Sequence, residues 1–254
     1  MLSVMKSHFL ILALNEELNL KKTFIELKEV ISEMNVEDYK ISIVDDGSTD
    51  NTLNIANTIK LELDSNLEII INKKNIGPAN SVKKYINMTT ENGKLFIISG
   101  DNDMRKDLIK QLIDASKKSD FVISCYLNRE KKGWFKAHLS TTFNLIMCSL
   151  FNVYVFYLQG PSVWPIEIVR KMNISAKDIA YASEVNIKLL HSGLKFIEVA
   201  GYCNIGSERS TSLKFSSFVD IFRTILNLLY EIKFKKIYAN KSERIIQKFY
   251  SELK

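Results

Sequence analysis

The feature that most constrains the fold of this chain is a regular alternation in its first half. Short apolar runs alternate with segments in which apolar residues recur at helical spacing. Residues 8–14 (HFLILAL) form a continuous apolar run of the kind found in strands that are covered on both faces. The next segment, residues 19–34, has the helical pattern instead. This alternation predicts an α/β domain in which helices cover both faces of a mostly parallel sheet.

Five strands and four intervening helices are predicted in this half. The strands lie at residues 8–14, 40–46, 67–72, 94–100 and 120–127, and the helices at 19–34, 50–63, 78–90 and 105–118. The second half is less regular. It has a helix that ends near Gly193, a strand after that turn, and an amphipathic helix over residues 215–238 with a basic end.

The composition is globular, with 46% hydrophobic and 25% charged residues in a chain of 254. The formal charge of +6 suits a membrane surface, a nucleic acid or a phosphorylated substrate. No basic patch with interleaved aromatic residues is present, which argues against nucleic-acid binding. Three scattered cysteines form neither a disulfide framework nor a zinc motif, and the N-terminus does not resemble a signal peptide. A reducing compartment is therefore expected.

Residues 139–166 contain no charged side chain and are long enough to cross a bilayer. Asparagine, glutamine and hydroxyl side chains interrupt the apolar character, and a Gly-Pro pair breaks the segment. We therefore favour a helix that lies in the membrane interface, followed by a buried strand, over a transmembrane span.

Polar residues follow four of the predicted strands. In parallel α/β sheets, ligands bind beyond the carboxyl ends of the strands, so these residues are expected to converge on one cleft. They are Asn15–Glu17, Asp45–Ser48, Asn72–Asn75 and Asp101–Asp103. No glycine-rich phosphate loop follows the first strand, which argues against a dinucleotide-binding domain and against a P-loop.

Two carboxylate pairs stand out among these strand ends. Asp101 and Asp103 are two residues apart, and in an extended chain they would point to the same side, where they suit Mg²⁺ or Mn²⁺. The alternative is that Asp103 caps the following helix. Asp45 and Asp46 are placed to accept hydrogen bonds from a nucleobase or ribose, whereas Asp50 is explained by capping of the next helix.

Four motifs, in order, resemble family 2 glycosyltransferases of the GT-A fold, and in particular the dolichyl-phosphate mannosyltransferase-like, polyprenyl-phosphate branch. They are LALNEELNL (12–20), IVDDGSTDNT (43–52), NKKNIGPANSVKKYI (72–86) and ISGDND (98–103). The resemblance covers about residues 7–214 and implies a GT-A domain over 1–214. Residues 215–254 would form a helical extension of the same globule that can face the membrane.

The resemblance implies a set of donor-binding residues. These are Leu12, Leu14, Glu16, Val44, Asp45, Asp46, Asn75, Gly100, Asp101, Asn102, Asp103, Arg129, Arg209 and Lys214. Asp101 and Asp103 would also bind the metal and the diphosphate. The family often has Pro and Tyr where this chain has Leu12 and Leu14, and Ala where it has Asn102.

Later motifs match more loosely. The segment 124–134 resembles the place where the lipid-phosphate branch has a phosphate-binding arginine, here Arg129, although a solvated charge run explains it equally well. Glu184 would face the acceptor, and a closing loop would bring Arg209 and Lys214 to the diphosphate, with a shortened spacing that leaves the position of the lysine open. Asp101, Asp103, Glu184 and Arg209 are thus the implied catalytic residues.

The resemblance implies an inverting enzyme that moves sugar from a UDP- or GDP-sugar, with Mg²⁺ or Mn²⁺, to a polyprenyl phosphate. The uncharged 139–166 segment and the basic end of the 215–238 helix favour a peripheral protein on the cytoplasmic face of the membrane. One alternative is transfer to a saccharide hydroxyl with Glu184 as general base. The other is a catalytically silent subunit of the same fold.

Overall fold

The computed structural model describes residues 5–177, 180–204 and 215–246. The first five strands are β1 (Ser7–Ala13), β2 (Tyr39–Asp45), β3 (Glu68–Ile71), β4 (Lys94–Ser99) and β5 (Phe121–Tyr126). Between them lie the helices α1 (Leu20–Glu33), α2 (Thr52–Glu62), α3 (Pro78–Met88) and α4 (Lys106–Ser116). Every predicted strand and helix of the first half is confirmed, with ends that shift by a few residues.

The second half adds helices and three strands. They are α5 (Trp134–Phe151), β6 (Ser162–Pro165), α6 (Ile166–Val169), α7 (Tyr181–Leu190), β7 (Lys195–Gly201), α8 (Phe215–Leu228) and β8 (Glu243–Arg244). A 3-10 turn, Arg129–Lys132, precedes α5, and a π-helical turn, Leu229–Phe234, continues α8.

The eight strands form one sheet in the order β3-β2-β1-β4-β6-β5-β7-β8. All neighbouring strands are parallel except β6, which runs antiparallel between β4 and β5. The mostly parallel sheet predicted from the sequence is therefore confirmed, although the reversed direction of β6 was not predicted. The first half was interpreted from its strand–helix alternation, whereas β6 enters the sheet from a long helix and loop.

The sheet separates two apolar clusters, and β1 shows why its sequence is apolar throughout. Phe9 and Ile11 face the cluster that contains α1 and α4, whereas Leu10 faces the cluster that contains α3 and α7. The described part of the C-terminal segment joins the second cluster, where Leu228 and Ile232 are buried.

The uncharged segment folds as a helix, α5, followed by the fully buried strand β6, as expected. Over the described residues, no helix combines the length and the apolar character that a membrane crossing requires. The structure does not test whether α5 lies in a membrane interface.

Candidate active site

The carboxyl ends of β1, β2 and β4 meet at one edge of the sheet. Ala13 pairs with Asp45, and Leu12 pairs with Ser99, so the loops after these strands begin side by side. The loop after β1 is joined to the loop after β2 by hydrogen bonds from Asn15 N to Ser48 Oγ (2.9 Å) and from Glu16 N to Thr52 Oγ1 (2.7 Å). The predicted convergence of these polar strand ends is confirmed.

Asp46 organises the loop that follows β3. Its Oδ1 accepts hydrogen bonds from Asn72 Nδ2 at 2.9 Å and from Ile76 N at 3.0 Å, and its Oδ2 accepts one from Gly77 N at 2.9 Å. These donors fix the orientation of the carboxylate at the tip of the strand. Asn75, a predicted donor-binding residue, lies in the same loop and accepts a hydrogen bond from Gly77 N through its side chain.

A close contact holds this loop against the turn after β2. Gly47 has φ +76°, and a Cβ placed there would lie 2.5 Å from the carbonyl carbon of Lys74. Only glycine permits both this backbone conformation and this approach. Asp45 stabilises the turn by accepting a hydrogen bond from Ser48 N at 3.1 Å, so both aspartates have a structural role.

Asp50 was predicted to be the N-cap of α2, but the N-cap residue is Asn51, and Asp50 lies one residue before it. The Oδ1 atom of Asp50 accepts a hydrogen bond from Thr52 N at 3.0 Å. Asp50 is therefore explained by its hydrogen bond to the first turn of α2. Asp45 and Asp46 lie at the end of β2 and are not explained by contacts with this helix.

Asp101 and Asp103 lie on a turn rather than on an extended chain, so the expected extended geometry is wrong. Asn102 has φ +58°, in the left-handed region that asparagine tolerates, and Asp103 N donates to Asp101 Oδ1 at 3.1 Å. The helix-capping alternative for Asp103 is also not observed, because α4 begins at Lys106 after Arg105.

The turn is supported by residues that the sequence did not single out. Tyr126 Oη, at the end of β5, donates to Asp103 Oδ2 at 3.0 Å. Asn204 N donates to Asp103 O at 2.8 Å, and the Asn204 side-chain amide donates to Asn102 O at 2.8 Å. Burial, together with the charge of Asp103, raises the pKa of Tyr126 well above its ordinary value, so Tyr126 remains a hydrogen-bond donor. In the sequence, the only sign of this contact with Asp103 was that Tyr126, which has a polar hydroxyl, stands at the end of an apolar strand.

The remaining donor-binding candidates occupy different environments. Gly100 packs so closely on β1 that a Cβ would lie 2.9 Å from Leu12 O. Leu14 and Glu16 are at least partly accessible at the edge, whereas the side chain of Val44 is fully buried in the core. A contact between a ligand and Val44 would therefore involve the backbone of β2. Arg209 and Lys214 lie outside the described residues.

Arg129 lies two residues from β5 in the 3-10 turn, with its guanidinium 4.1 Å from the centre of the Tyr157 ring. Its Nη1 atom is buried and has no hydrogen-bond partner. Tyr157 is itself fixed by Ser140 and Gln159 at 2.6 and 3.2 Å. A stacked guanidinium with an unsatisfied buried N–H is well suited to bind an anion.

Glu184 lies elsewhere. Its side chain is fully buried, and it accepts hydrogen bonds from Ser175 N and Oγ and from Ala176 N, in addition to an ion pair with Lys188 at 2.9 Å. The strand-end carboxylates and Glu184 are therefore not brought together as one group that faces an acceptor.

The chemistry of Asp101 and Asp103 fits a hard divalent cation. Within residues 5–177, 180–204 and 215–246, no group of three or more His, Cys, Asp and Glu side chains is arranged to bind a metal ion. Mg²⁺ is typically held by one or two carboxylates with substrate phosphates and water completing its shell, which is the arrangement that an aspartate pair permits.

Comparison with known proteins defines the class. The family described as glycosyl transferase family 2 matches residues 9–172, which is more than half of the chain. The chain therefore belongs to this family and is a glycosyltransferase. A sequence relative, an uncharacterized protein of Methanocaldococcus jannaschii, is 27% identical over 199 residues that cover 73% of this chain and 82% of the relative.

Solved structures show the same fold. Mannosyl-3-phosphoglycerate synthase from Rubrobacter xylanophilus matches with a TM-score of 0.65 and 14% identity over 98% of this chain and 79% of that one. A mannosyltransferase from Pyrobaculum calidifontis, in complex with GDP-Man and Mn²⁺, matches with a TM-score of 0.53 and 11% identity over 89% and 74%. The GT-A fold predicted from the sequence is confirmed.

Proposed function

We propose that this glycosyltransferase moves a sugar from a UDP- or GDP-sugar to a polyprenyl phosphate at the cytoplasmic face of the membrane, with inversion at the anomeric carbon. The observation that carries the proposal is the arrangement of Asp46 and the Asp101–Asp103 turn at the carboxyl ends of β2 and β4, the two strands that flank β1. Ligands of open α/β sheets bind at such an edge.

The donor would lie across these strand ends. Asp46 and the loop that it organises would border the nucleoside, with Glu16 and the backbone at Val44 beside it. The Asp101–Asp103 turn would meet the diphosphate. The complex of a structural relative with GDP-Man and Mn²⁺ supports a nucleotide sugar and a metal as ligands of this fold.

Mg²⁺ or Mn²⁺ bound by Asp101 and Asp103 would stabilise the negative charge that develops on the departing diphosphate. The protein itself contributes the geometry. Tyr126 fixes one oxygen of Asp103, and Asn204 fixes the backbone of the turn, so that both carboxylates are oriented before the donor arrives. Arg209 and Lys214 are proposed to close over the same diphosphate.

The environment of Arg129 supports the proposal that the acceptor carries a phosphate. Its buried Nη1 lacks an acceptor atom in the structure, and its stacking on Tyr157 fixes the direction of the guanidinium. A phosphate oxygen is already ionised and attacks the anomeric carbon directly, so no general base is required. The deep burial of Glu184 and its engagement with backbone N–H groups agree with this scheme.

The outward face of the C-terminal helix supports a membrane location. Six apolar or aromatic side chains, spaced three or four residues apart, are about half exposed or more: Val219, Phe222, Leu226, Tyr230, Phe234 and Ile237. Exposed lysines 233, 235 and 236 adjoin this stripe. An apolar helix face flanked by basic residues binds anionic lipid surfaces.

A panel of UDP- and GDP-sugars, incubated with Mn²⁺ and either a polyprenyl phosphate or an oligosaccharide, tests the reaction. We expect lipid-linked sugar from one donor, and Arg129→Met should reduce this product by about 10-fold or more, since a charge-assisted hydrogen bond contributes about 1.5–3 kcal/mol. The matched control is Lys28→Met, because Lys28 also lies against a tyrosine ring, that of Tyr39, at the opposite end of the sheet.

Two outcomes would overturn the proposal. Transfer to the oligosaccharide alone would assign a hydroxyl acceptor. Absence of nucleotide binding in calorimetry would favour a catalytically silent subunit.

Vesicle sedimentation tests the membrane part separately. The double variant Phe222→Ser/Phe234→Ser should reduce binding to vesicles that contain anionic lipid, whereas Leu61→Ser, at an equally exposed leucine on α2, should not. Binding that is unchanged by the double variant would contradict the assignment of this face.

A further inference from the structure

We infer that residues 173–177, here called the 173–177 strap, form a buttress of the donor site and that Glu184 is the positioning residue that holds it. The inference rests on the proposed function for the identity of the donor, and on contacts of the structure for the strap itself.

Glu184 binds the middle of the strap through its backbone. Both carboxylate oxygens lie 3.0 Å from Ser175 N, and Oε2 accepts a hydrogen bond from Ala176 N at 2.7 Å. Hydrogen bonds from N–H groups to a buried carboxylate are strong, because little water competes for either partner. Glu184 therefore fixes the path of the strap rather than presenting its oxygens to solvent.

A second buried charge balances Glu184 and links it to the C-terminal segment. Lys188 is fully buried and pairs with Glu184 at 2.9 Å and with Glu231 at 2.7 Å, and it also donates to Asn173 O. Burial alone would lower the pKa of Lys188, but the two carboxylates outweigh this effect and raise it, so the lysine stays charged. The first residue of the strap is thereby fixed to α7 and to the turn after α8.

Helix α8 fixes the other end of the strap. Lys177 N donates to Asp220 Oδ2 at 2.9 Å, and Arg223 bridges Asp220 and Ser175 O at 2.5 and 3.2 Å. From the opposite side, Lys83 Nζ on α3 donates to Ala176 O at 3.1 Å. The strap is thus bound by charged side chains from α3, α7 and α8.

The strap also contacts the loop that Asp46 organises. Gly77 has φ +86°, and a Cβ at Gly77 would lie 2.9 Å from Lys177 O, so the two backbones touch. The N–H of the same glycine donates to Asp46 Oδ2. A displacement of the strap would therefore release Gly77 and with it one of the three hydrogen bonds that orient Asp46.

The test is nucleotide affinity, measured by calorimetry with UDP and GDP, together with the pH profile of kcat. Glu184→Gln replaces one of the two acceptor oxygens with an amide NH₂ group, which cannot accept from Ser175 N or Ala176 N, and we expect nucleotide affinity to weaken by about tenfold, within the usual range for coupled sites. The shape of the pH profile should not change, because no proton transfer by Glu184 is involved.

A second variant keeps the inference testable if Glu184→Gln does not fold. Asp220→Asn removes the charge that holds Lys177 N from α8, far along the chain from the donor loop, and should weaken nucleotide binding in the same direction. The matched control is Arg170→Met. Arg170 also binds backbone carbonyls, those of Ile86 and Thr89, but at the other end of α3, and its loss should lower Tm without changing nucleotide affinity.

Three results would overturn the inference. Unchanged affinity in both strap variants would remove the role of the strap. A fall in kcat with loss of the basic or acidic limb of the pH profile would make Glu184 a general base. Wild-type protein that binds neither nucleotide would overturn the proposed function as well, which distinguishes the two failures.

Discussion

Both ends of the central sheet carry charged side chains, but the partners of these side chains differ. At the amino end, a cavity of about 490 Å³ is lined by lysines, and each is paired: Lys6 with Glu91 at 2.7 Å, Lys28 with Asp64 at 2.9 Å and Lys40 with Glu68 at 3.2 Å. At the carboxyl end, Asp46 is held by N–H groups, and no lysine or arginine of the described residues forms an ion pair with it.

The difference teaches that the presence of a cavity is not enough to define a binding site, because the charges that line the cavity must also be available. Ion pairs that are partly exposed neutralise one another and contribute little, about 0–1 kcal/mol each. Carboxylates that accept hydrogen bonds from N–H and O–H donors are held in a fixed orientation, which a cation or a polar ligand can use. The carboxyl end therefore has the chemistry of a binding site, and the amino-end cavity does not.

Removal of one carboxylate charge at each end of the sheet should give the largest difference in kcat/KM. Asp103→Asn keeps the shape of the side chain but removes a charge proposed to bind the metal, and we expect kcat/KM to fall by about 10³-fold, as for the loss of one electrostatic stabiliser. Asp64→Asn at the amino end should leave kcat/KM within about twofold, since an exposed ion pair contributes little. Initial rates with a saturating metal concentration measure both.

The comparison between the two ends would break if Asp103→Asn retained most of its activity. It would also break if Asp64→Asn abolished activity while the protein stayed folded by circular dichroism. Asp101→Asn provides an internal repeat of the first variant on the same turn.

Much of the carboxyl end could be predicted from the sequence because strand tips are defined by pattern. The apolar runs fix where β1, β2 and β4 end, and parallel strands bring those ends together, so the placement of Asp46 and Asp101 followed from periodicity alone. The start of α2 near Asp50 was also predicted, but the N-cap residue is Asn51, one residue later.

Other parts depend on contacts between distant residues, which local pattern does not contain. Tyr126 and Asn204 reach the Asp101–Asp103 turn from β5 and from the segment after β7, and Asn102 bends the turn away from the extended geometry. Glu184 lies on α7, whose residues from Ala182 to Leu190 are all buried, and its partners Lys188 and the strap could not be predicted from local pattern. The strand β6 was predicted, but its antiparallel direction was not, for the same reason.

An intermediate effect is expected from Tyr126→Phe, which removes the hydroxyl that fixes Asp103 and leaves the ring. Loss of a group that orients a metal ligand commonly lowers metal affinity by about 10–100-fold. Mn²⁺ binding, followed by electron paramagnetic resonance in the presence of the nucleotide, measures this change without relying on turnover. Tyr39→Phe, which removes a hydroxyl hydrogen-bonded to Lys28 at the amino end, is the matched control and should not change Mn²⁺ affinity. Equal affinities in all three proteins would show that Asp103 does not depend on Tyr126.

Substitution of His8, at the amino end of the sheet, is expected to have the smallest effect on function but a measurable effect on stability. His8 is fully buried in β1, and its Nδ1 lies 2.8 Å from Tyr85 Oη. Burial lowers the pKa of His8 below its ordinary value of 6.5, although nearby Glu91 opposes this effect. The unfolded chain therefore binds a proton more readily than the folded one, so the free energy of unfolding decreases as pH falls from about 6.5 towards the folded pKa.

Thermal unfolding between pH 7.5 and 5 should show this loss, with Tm falling by about 2–4 °C for each 1 kcal/mol. His8→Gln removes the titrating group while keeping a side chain that can bond to Tyr85, so the dependence of Tm on pH should become shallower. His138→Gln, at an exposed histidine of α5, should leave the slope as in the wild type. His191 is also buried with a lowered pKa, so some slope should persist in His8→Gln. A dependence of Tm on pH that is unchanged in His8→Gln would show that His8 is not the group responsible. Nucleotide affinity that changes together with Tm in that variant would show that the amino end is not the purely structural region that the paired lysines indicate.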